Sequence, residues 1–203
     1  MIGLRCRWTG GPVRDIGDAV SDAIERLKRF DRAIGLRDGS LARMRPIRAD
    51  DAPRLIALYD RLSLDTRYHR FFAAMRRLAP DWARFLATVD YVSRLALVVE
   101  SPRDPAALIA VARYEPTREP DTAEVAFVVE DGWQDRGVGT VLFSELLAAA
   151  QLNGVLRFRA WVLADNRRML DMIVRFADVR ERAIDQGVVE LTFTPKPTPL
   201  PAG

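Results

Sequence analysis

Apolar positions recur at helical spacing in the first half of the chain, and from residue 95 onward they switch to β-rich runs. Ile16, Val20, Ile24 and Leu27 predict an amphipathic helix over 15–32. Such a stripe packs on its own domain or on a second copy of the chain, so a homodimer is one of its uses. Asp38, Gly39 and Ser40 mark a turn between extended pieces at 36–37 and 41–47. Asp50 reads as the cap of a helix opening near Pro53, with Leu55, Ile56, Leu58, Tyr59 and Leu62 on its buried side. Helices are expected at 63–75 and, after Pro80, at 81–89. The β-rich runs 95–100, 107–114 and 122–129 follow, with connections at 101–105 and 115–121. Val138, Val141, Leu142, Leu146 and Ala149 form one stripe of a helix over 137–153, which Gly154 ends. A strand at 156–163, a helix at 166–176 and a strand at 188–194 complete the pattern. The order is helices, then an antiparallel meander, then β-α-β-α-β, which predicts an α+β fold with a mixed sheet. The division read from this is a helical extension at 1–35, one domain at 36–194 and a proline-rich, untethered tail at 195–203.

Composition narrows the function classes. The 203 residues carry 31 Lys and Arg against 28 Asp and Glu, a net charge of +3, and almost all the cations are arginine. These arginines are interleaved with acids instead of forming one basic face, which argues against a nucleic-acid partner. No apolar run approaches the length of a membrane span, and the first residues lack a secretory core, so no membrane partner is expected. A lone cysteine, Cys6, excludes an internal disulfide and places the chain in a reducing cytoplasm. No cluster of His, Cys and carboxylates has ligand spacing, so no metal is expected.

The segment with chemical content runs from Glu124 to Thr140. A strand ends near Val129, a loop follows, and a helix opens at Gly137. The first N–H groups of a helix have no internal partner, and the dipole leaves that end positive. Gly137 and Gly139 remove the Cβ atoms that would keep an anion away. Gln134, Asp135, Arg136, Gly137, Val138, Gly139 and Thr140 are therefore a diphosphate cradle, with Arg136 adding charge. Other phosphate loops fail on these letters: Val138 stands where a P-loop needs lysine, and Leu142 where a dinucleotide fingerprint needs its third glycine.

Gln134-x-x-Gly137-x-Gly139 resembles the Gln/Arg-x-x-Gly-x-Gly/Ala signature of the GNAT acetyltransferases. Residues 36–40, Arg45-Pro46-Ile47 with Asp51, Leu62-Ser63, 68–72, 89–91 and 162–166 with Met169-Leu170 are similar to bacterial Pat-type protein lysine acetyltransferase domains. The likeness spans about 36–194 and leaves no room for the regulatory domains attached to some of those relatives. It implies a twisted, mostly antiparallel GNAT sheet flanked by helices, with acetyl-CoA as cosubstrate. It also implies that Phe127, Val128 and Val129 offer backbone groups to pantetheine and that Asn166 lies near the pantetheine arm. The same asparagine reads equally as a helix cap.

Attack on a thioester needs a neutral amine, whereas a lysine ammonium has a pKa near 10.4. Glu124 is the candidate base, matching the glutamate that Pat-type relatives carry on this strand; its competing reading is a strand-edge partner for an arginine. His69, the one histidine, is a secondary candidate, and Asp90 reads first as a turn cap and second as a holder of a substrate cation. Many GNAT enzymes place a tyrosine seven residues after the asparagine to protonate the leaving thiolate. That position here is Ile173, and Arg175-Phe176-Ala177 replaces the usual Gly-Phe after the helix. The implied activity is direct acyl transfer from an acyl-CoA to a protein lysine. The alternatives are a small amine acceptor, such as a polyamine, aminoglycoside or amino acid, and an acyl-CoA-binding sensor without catalysis.

Overall fold

A computed structural model describes residues 25–72 and 75–196. Eight strands make one sheet in the order β1-β2-β3-β4-β5-β6-β8-β7. They are β1 (Arg32–Gly35), β2 (Leu41–Pro46), β3 (Leu95–Glu100), β4 (Leu108–Pro116), β5 (Thr122–Val129), β6 (Arg157–Leu163), β7 (Ala177–Asp185) and β8 (Val188–Pro195). Every neighbouring pair is antiparallel except β5 and β6, which run parallel. The helices are α1 (Ala52–Arg61), α2 (Leu64–Phe71), α3 (Pro80–Ala87), α4 (Val138–Leu152) and α5 (Arg167–Phe176). The mixed α+β architecture expected from the residue pattern is the one observed.

β3 is buried at every position because both faces of the sheet are covered. Leu95, Leu97 and Val99 join α4 and α5 in one core, while Ala96 and Val98 join α1 and α3 in the other. α4 turns Leu142, Phe143, Leu146 and Leu147 onto the sheet, each contributing roughly 1.5–3 kcal/mol by burial. Phe143 alone meets the rings of Phe127, Phe176 and Phe193. Gly154, at a left-handed φ of 84°, turns the chain away from α4 toward β6.

Four sequence readings change. The helix read over 15–32 lies mostly outside the described residues; at its end Arg32 already belongs to β1, and the buried Leu27 and Phe30 enter the main core. The first extended piece is thus Arg32–Gly35 and not 36–37, because the antiparallel pairing with Leu41–Met44 draws it upstream of the turn. The strand β7 has no counterpart in the residue pattern, since all but Ala177 is exposed and no face shows alternation. β8 runs through Pro195, and the Lys196 N–H bonds the Phe176 carbonyl, so the expected tail coincides with described residues only at 195 and 196. Among the described residues no helix is long and apolar enough to cross a membrane.

Asp51, not Asp50, anchors the entry to α1. Its Oδ2 accepts from the Arg48 N–H at 2.8 Å and from Arg45 Nη1 at 2.7 Å, and its Oδ1 accepts from Arg45 Nη2 at 2.8 Å. Arg45 is buried and gives its Nε to Glu100 at 2.8 Å. Burial works against the charged carboxylate, but the bonds from Arg45 and Arg48 outweigh it and hold Asp51 below its usual value. A depressed folded pKa stabilises the fold fully above the unfolded value of about 3.9 and loses that contribution as pH falls through the folded one. Asp51→Ala is expected to cost about 1–3 kcal/mol, since Arg45 loses its two bonds to Asp51 and keeps only Glu100 as a carboxylate partner. Thermal melts at pH 7 check this, and unchanged melting would remove the pair from the stability of the fold.

Candidate active site

β5 and β6 pair only at Thr122–Arg157, Ala123–Phe158 and Glu124–Arg159, and then part. On its other side β5 stays paired with β4 through Val129. Glu130 N–H bonds Ile109, so even positions of β5 spend their backbone on β4 and odd positions turn theirs toward β6. Beyond Glu124, Phe127 and Val129 therefore present N–H and C=O groups that no neighbouring strand takes. Val128 differs from its neighbours: its backbone belongs to the β4 ladder, and its side chain packs among α1 and α3.

The opening is a cleft of about 680 Å³. The cradle stands at one wall. Gly137 caps α4 with φ of 89°, and the first N–H that bonds back into the helix is that of Val141, to Gly137 at 3.1 Å. The N–H groups of Val138, Gly139 and Thr140 precede it in the free first turn. A Cβ on Gly139 would stand 3.4 Å from Val129, 3.6 Å from Phe127 and 3.7 Å from Met172, so the bare glycine keeps the space between the cradle and the open strand. The Val138 side chain is wholly buried, which leaves only its backbone for a ligand.

The other cradle residues divide by role. Gln134 gives its Nε2 to the Val129 carbonyl at 3.2 Å and to Thr66 Oγ1 at 3.3 Å, while its Oε1 accepts from Arg168 at 2.6 Å. It is a brace for the loop. Asp135 pairs with Arg168 at 2.9 Å. Arg136 turns outward, over the Trp133 ring and onto Asp38 at 2.7 Å. Arg37 lines the cleft instead, with its stem against Gly137. Asn166 also lines the cleft, and its side chain accepts the Met169 N–H at 3.1 Å as the cap of α5. Arg37 and Arg168 carry no local sequence signal, because contacts far apart along the chain place them.

Glu124 faces the opposite side. Val128 of the same parity packs with α1 and α3, whereas Val125 and Val129 pack with α4. The cleft thus runs between the strands, from a cradle on the α4 face to a carboxylate on the α2 face. Protein bulk around Glu124 pushes its pKa up, Arg70 pulls it down, and Glu115 adds to the rise. His69 also lines the cleft, its Nδ1 3.1 Å from Asp65 and its Nε2 3.3 Å from Asp165. Two carboxylates flank it: Asp65 one helical turn earlier, and Asp165, which the residue order does not connect to it. Asp90 accepts from the N–H groups of Val92 and Arg94 as a turn cap. Ile173 is wholly buried in the core, so the usual tyrosine position contributes nothing to the cleft. Among the described residues no group of three His, Cys, Asp or Glu is placed to hold a metal.

A parted parallel strand pair, beside a glycine-rich helix start that follows the first of the two, defines a class of acyl-CoA-dependent transferase. The chain belongs to the Acetyltransferase (GNAT) family, whose sequence pattern matches residues 54–177. It is similar to Acetyltransferase Pat of Mycolicibacterium smegmatis, with 35% identity over 158 residues. That match takes in 77% of this chain and 46% of the relative, so the chain spans about half of the mycobacterial protein's length. Acetyltransferase PA5475 of Pseudomonas aeruginosa is 29% identical over 74% of this chain and 81% of that protein. Among solved structures, the GNAT domain of S. lividans PAT superposes with a TM-score of 0.74 at 35% identity, covering 82% of this chain and 97% of that one.

Proposed function

We propose that this chain transfers an acetyl or other short acyl group from an acyl-CoA to a lysine side chain of another protein. The observation that carries the reading is the place of Glu124, on the α2 face where β5 and β6 part and opposite the cradle. The cradle N–H groups of Val138, Gly139 and Thr140 hold the diphosphate, with Arg37 beside them. The open backbone of Phe127 and Val129 takes the pantetheine amides, and a Val129 N–H polarises the thioester oxygen. Acetyl-CoA supplies the activated acyl group when bound. Glu124 removes a proton from the acceptor ammonium, the neutral nitrogen forms the new bond to the acyl carbon as the carbon–sulfur bond breaks, and the second nitrogen proton passes to water as the amide forms. With Ile173 in the core, the sulfur leaves as thiolate, which a thiol pKa near 8.5 permits.

The α2 face supports this acceptor class. Leu64 and Tyr68 are exposed one turn apart on α2, and Phe72, just past its end, is exposed and lines the cleft. An apolar ridge beside the base suits a protein surface. The cleft also sets Asp65, Glu124, Asp135, Asp165 and Asp171 against Arg37, Arg70, Arg167, Arg168 and Arg175, a balance that gives a polyamine no net attraction. Incubation of the protein with labelled acetyl-CoA and a deacetylated lysate is expected to mark lysines that mass spectrometry locates. Transfer to free polyamines or aminoglycosides with no labelled protein would overturn the protein-lysine reading.

A further inference from the structure

Two arginines meet the cradle from opposite directions. Arg136 belongs to it in sequence, and Arg37 reaches it from the turn between β1 and β2. In that turn the Leu36 N–H bonds the Ser40 carbonyl at 2.9 Å, and Gly39 takes a left-handed φ of 82°. Asp38 stiffens it, accepting from the Ser40 N–H at 3.0 Å and from Ser40 Oγ at 2.6 Å. The other oxygen of Asp38 takes Arg136 Nη1 at 2.7 Å, so the motif's own arginine is spent on the turn. Arg37 crosses the other way. Its N–H bonds the Arg136 carbonyl at 2.9 Å, and its Nη1 donates to the Asp135 carbonyl at 3.4 Å. Two carbonyl oxygens beside the cradle, each a partial negative charge, are thereby covered by one residue. A Cβ on Gly137 would stand 3.4 Å from Arg37 Cγ and 3.8 Å from its Nε, so the guanidinium lies along the first glycine of the cradle. Arg37 lines the cleft there, and among the described residues no carboxylate pairs with it. Arg168, the other cation at this loop, is held by Gln134 and Asp135.

We infer that Arg37 is the cation that binds a phosphate of the acyl-CoA, and that Arg136 is a positioning residue, which touches no ligand and fixes the turn that carries Arg37. A guanidinium offers adjacent N–H groups to phosphate oxygens. Among the described residues Arg37 Nε and Nη2 have no other acceptor. Arg37 can hold that phosphate only where the cradle holds CoA, the reading on which this inference rests.

Calorimetric titration of the whole chain with acetyl-CoA tests both assignments. Arg37→Gln should weaken Kd roughly 10–100-fold, the worth of one bond to a charged oxygen. Arg37→Met, which keeps the stem on Gly137 without the charge, loses as much and serves if the glutamine variant does not fold. Arg136→Gln should lose about two- to fivefold, the worth of an exposed ion pair, and Arg136→Lys should restore it. In the Arg37→Gln background the Arg136→Gln change should add nothing. Acetyl-3′-dephospho-CoA, as a second probe, tells which phosphate is held. An equal loss in Arg37→Gln puts the guanidinium on the diphosphate, a vanished loss puts it on the 3′-phosphate, and either agrees with the inference. A Kd in Arg37→Gln within twofold of the parent's overturns the role of Arg37. Losses that add in the double variant overturn the role of Arg136. A parent chain that binds no acetyl-CoA overturns instead the reading of the cradle itself.

Discussion

Glu124→Gln is expected to lower kcat roughly 10²–10⁴-fold, the span of a positioned general base. The affinity for acetyl-CoA should change little, because the cradle lies on the other face of the sheet and the open backbone of Phe127 and Val129 is untouched. In the parent chain activity should climb with pH through a carboxylate limb, which the protein around Glu124 and the neighbouring Glu115 move upward and Arg70 opposes. The glutamine variant should lack that limb. Thiol release over a range of pH gives the rates, and calorimetric titration gives the affinity. An unreduced kcat removes Glu124 from the mechanism, and a parallel loss of cosubstrate affinity shows that the substitution disturbed the cleft.

Gly139→Leu should have its effect on the other substrate. A Cβ at Gly139 would already stand at ordinary contact distance from Val129, Phe127 and Met172, so a longer side chain at this point fills the space between β5 and α5. It would stand between the ligand and the N–H groups of the first turn of α4. Each hydrogen bond to a charged oxygen is worth about 1.5–3 kcal/mol. Loss of two such bonds corresponds to a roughly 10²–10⁴-fold weaker Kd for acetyl-CoA. Titration of the folded variant with acetyl-CoA decides the matter, and a Kd within a few-fold of the parent's means that the diphosphate is held elsewhere.

How far the residue order reveals this molecule depends on whether a feature is local. The strands β3, β4 and β5 are legible because burial imposes an apolar run or alternation, and α4 because its stripe has a helical period. The turn into α4 is legible for the same reason, since strand end, loop and helix start are contiguous along the chain. β7 is not legible, because an edge strand exposed on both sides has no pattern to show. Asp51 outranks Asp50 through its local bond from the Arg48 N–H and through the buried Arg45, which also holds Glu100 from another strand. Arg37, Arg70 and Arg168 look like three of many surface arginines until the fold brings the β1–β2 turn, α2 and α5 around one cleft. Arg136 shows the converse, since its place in the motif suggests a phosphate contact while its side chain goes to Trp133 and Asp38.

Asp131 accepts from Ser63 Oγ and Thr66 Oγ1 at 2.7 Å each, and Thr66 in turn meets Gln134, which holds the Val129 carbonyl and Arg168. This polar seam stitches the helix beside the acceptor, the rim of the nucleotide end and α5 into one unit. Strain introduced at either end reaches the same few bonds. Thermodynamic reciprocity then demands that whatever factor one substrate imposes on the other's binding be returned in equal measure.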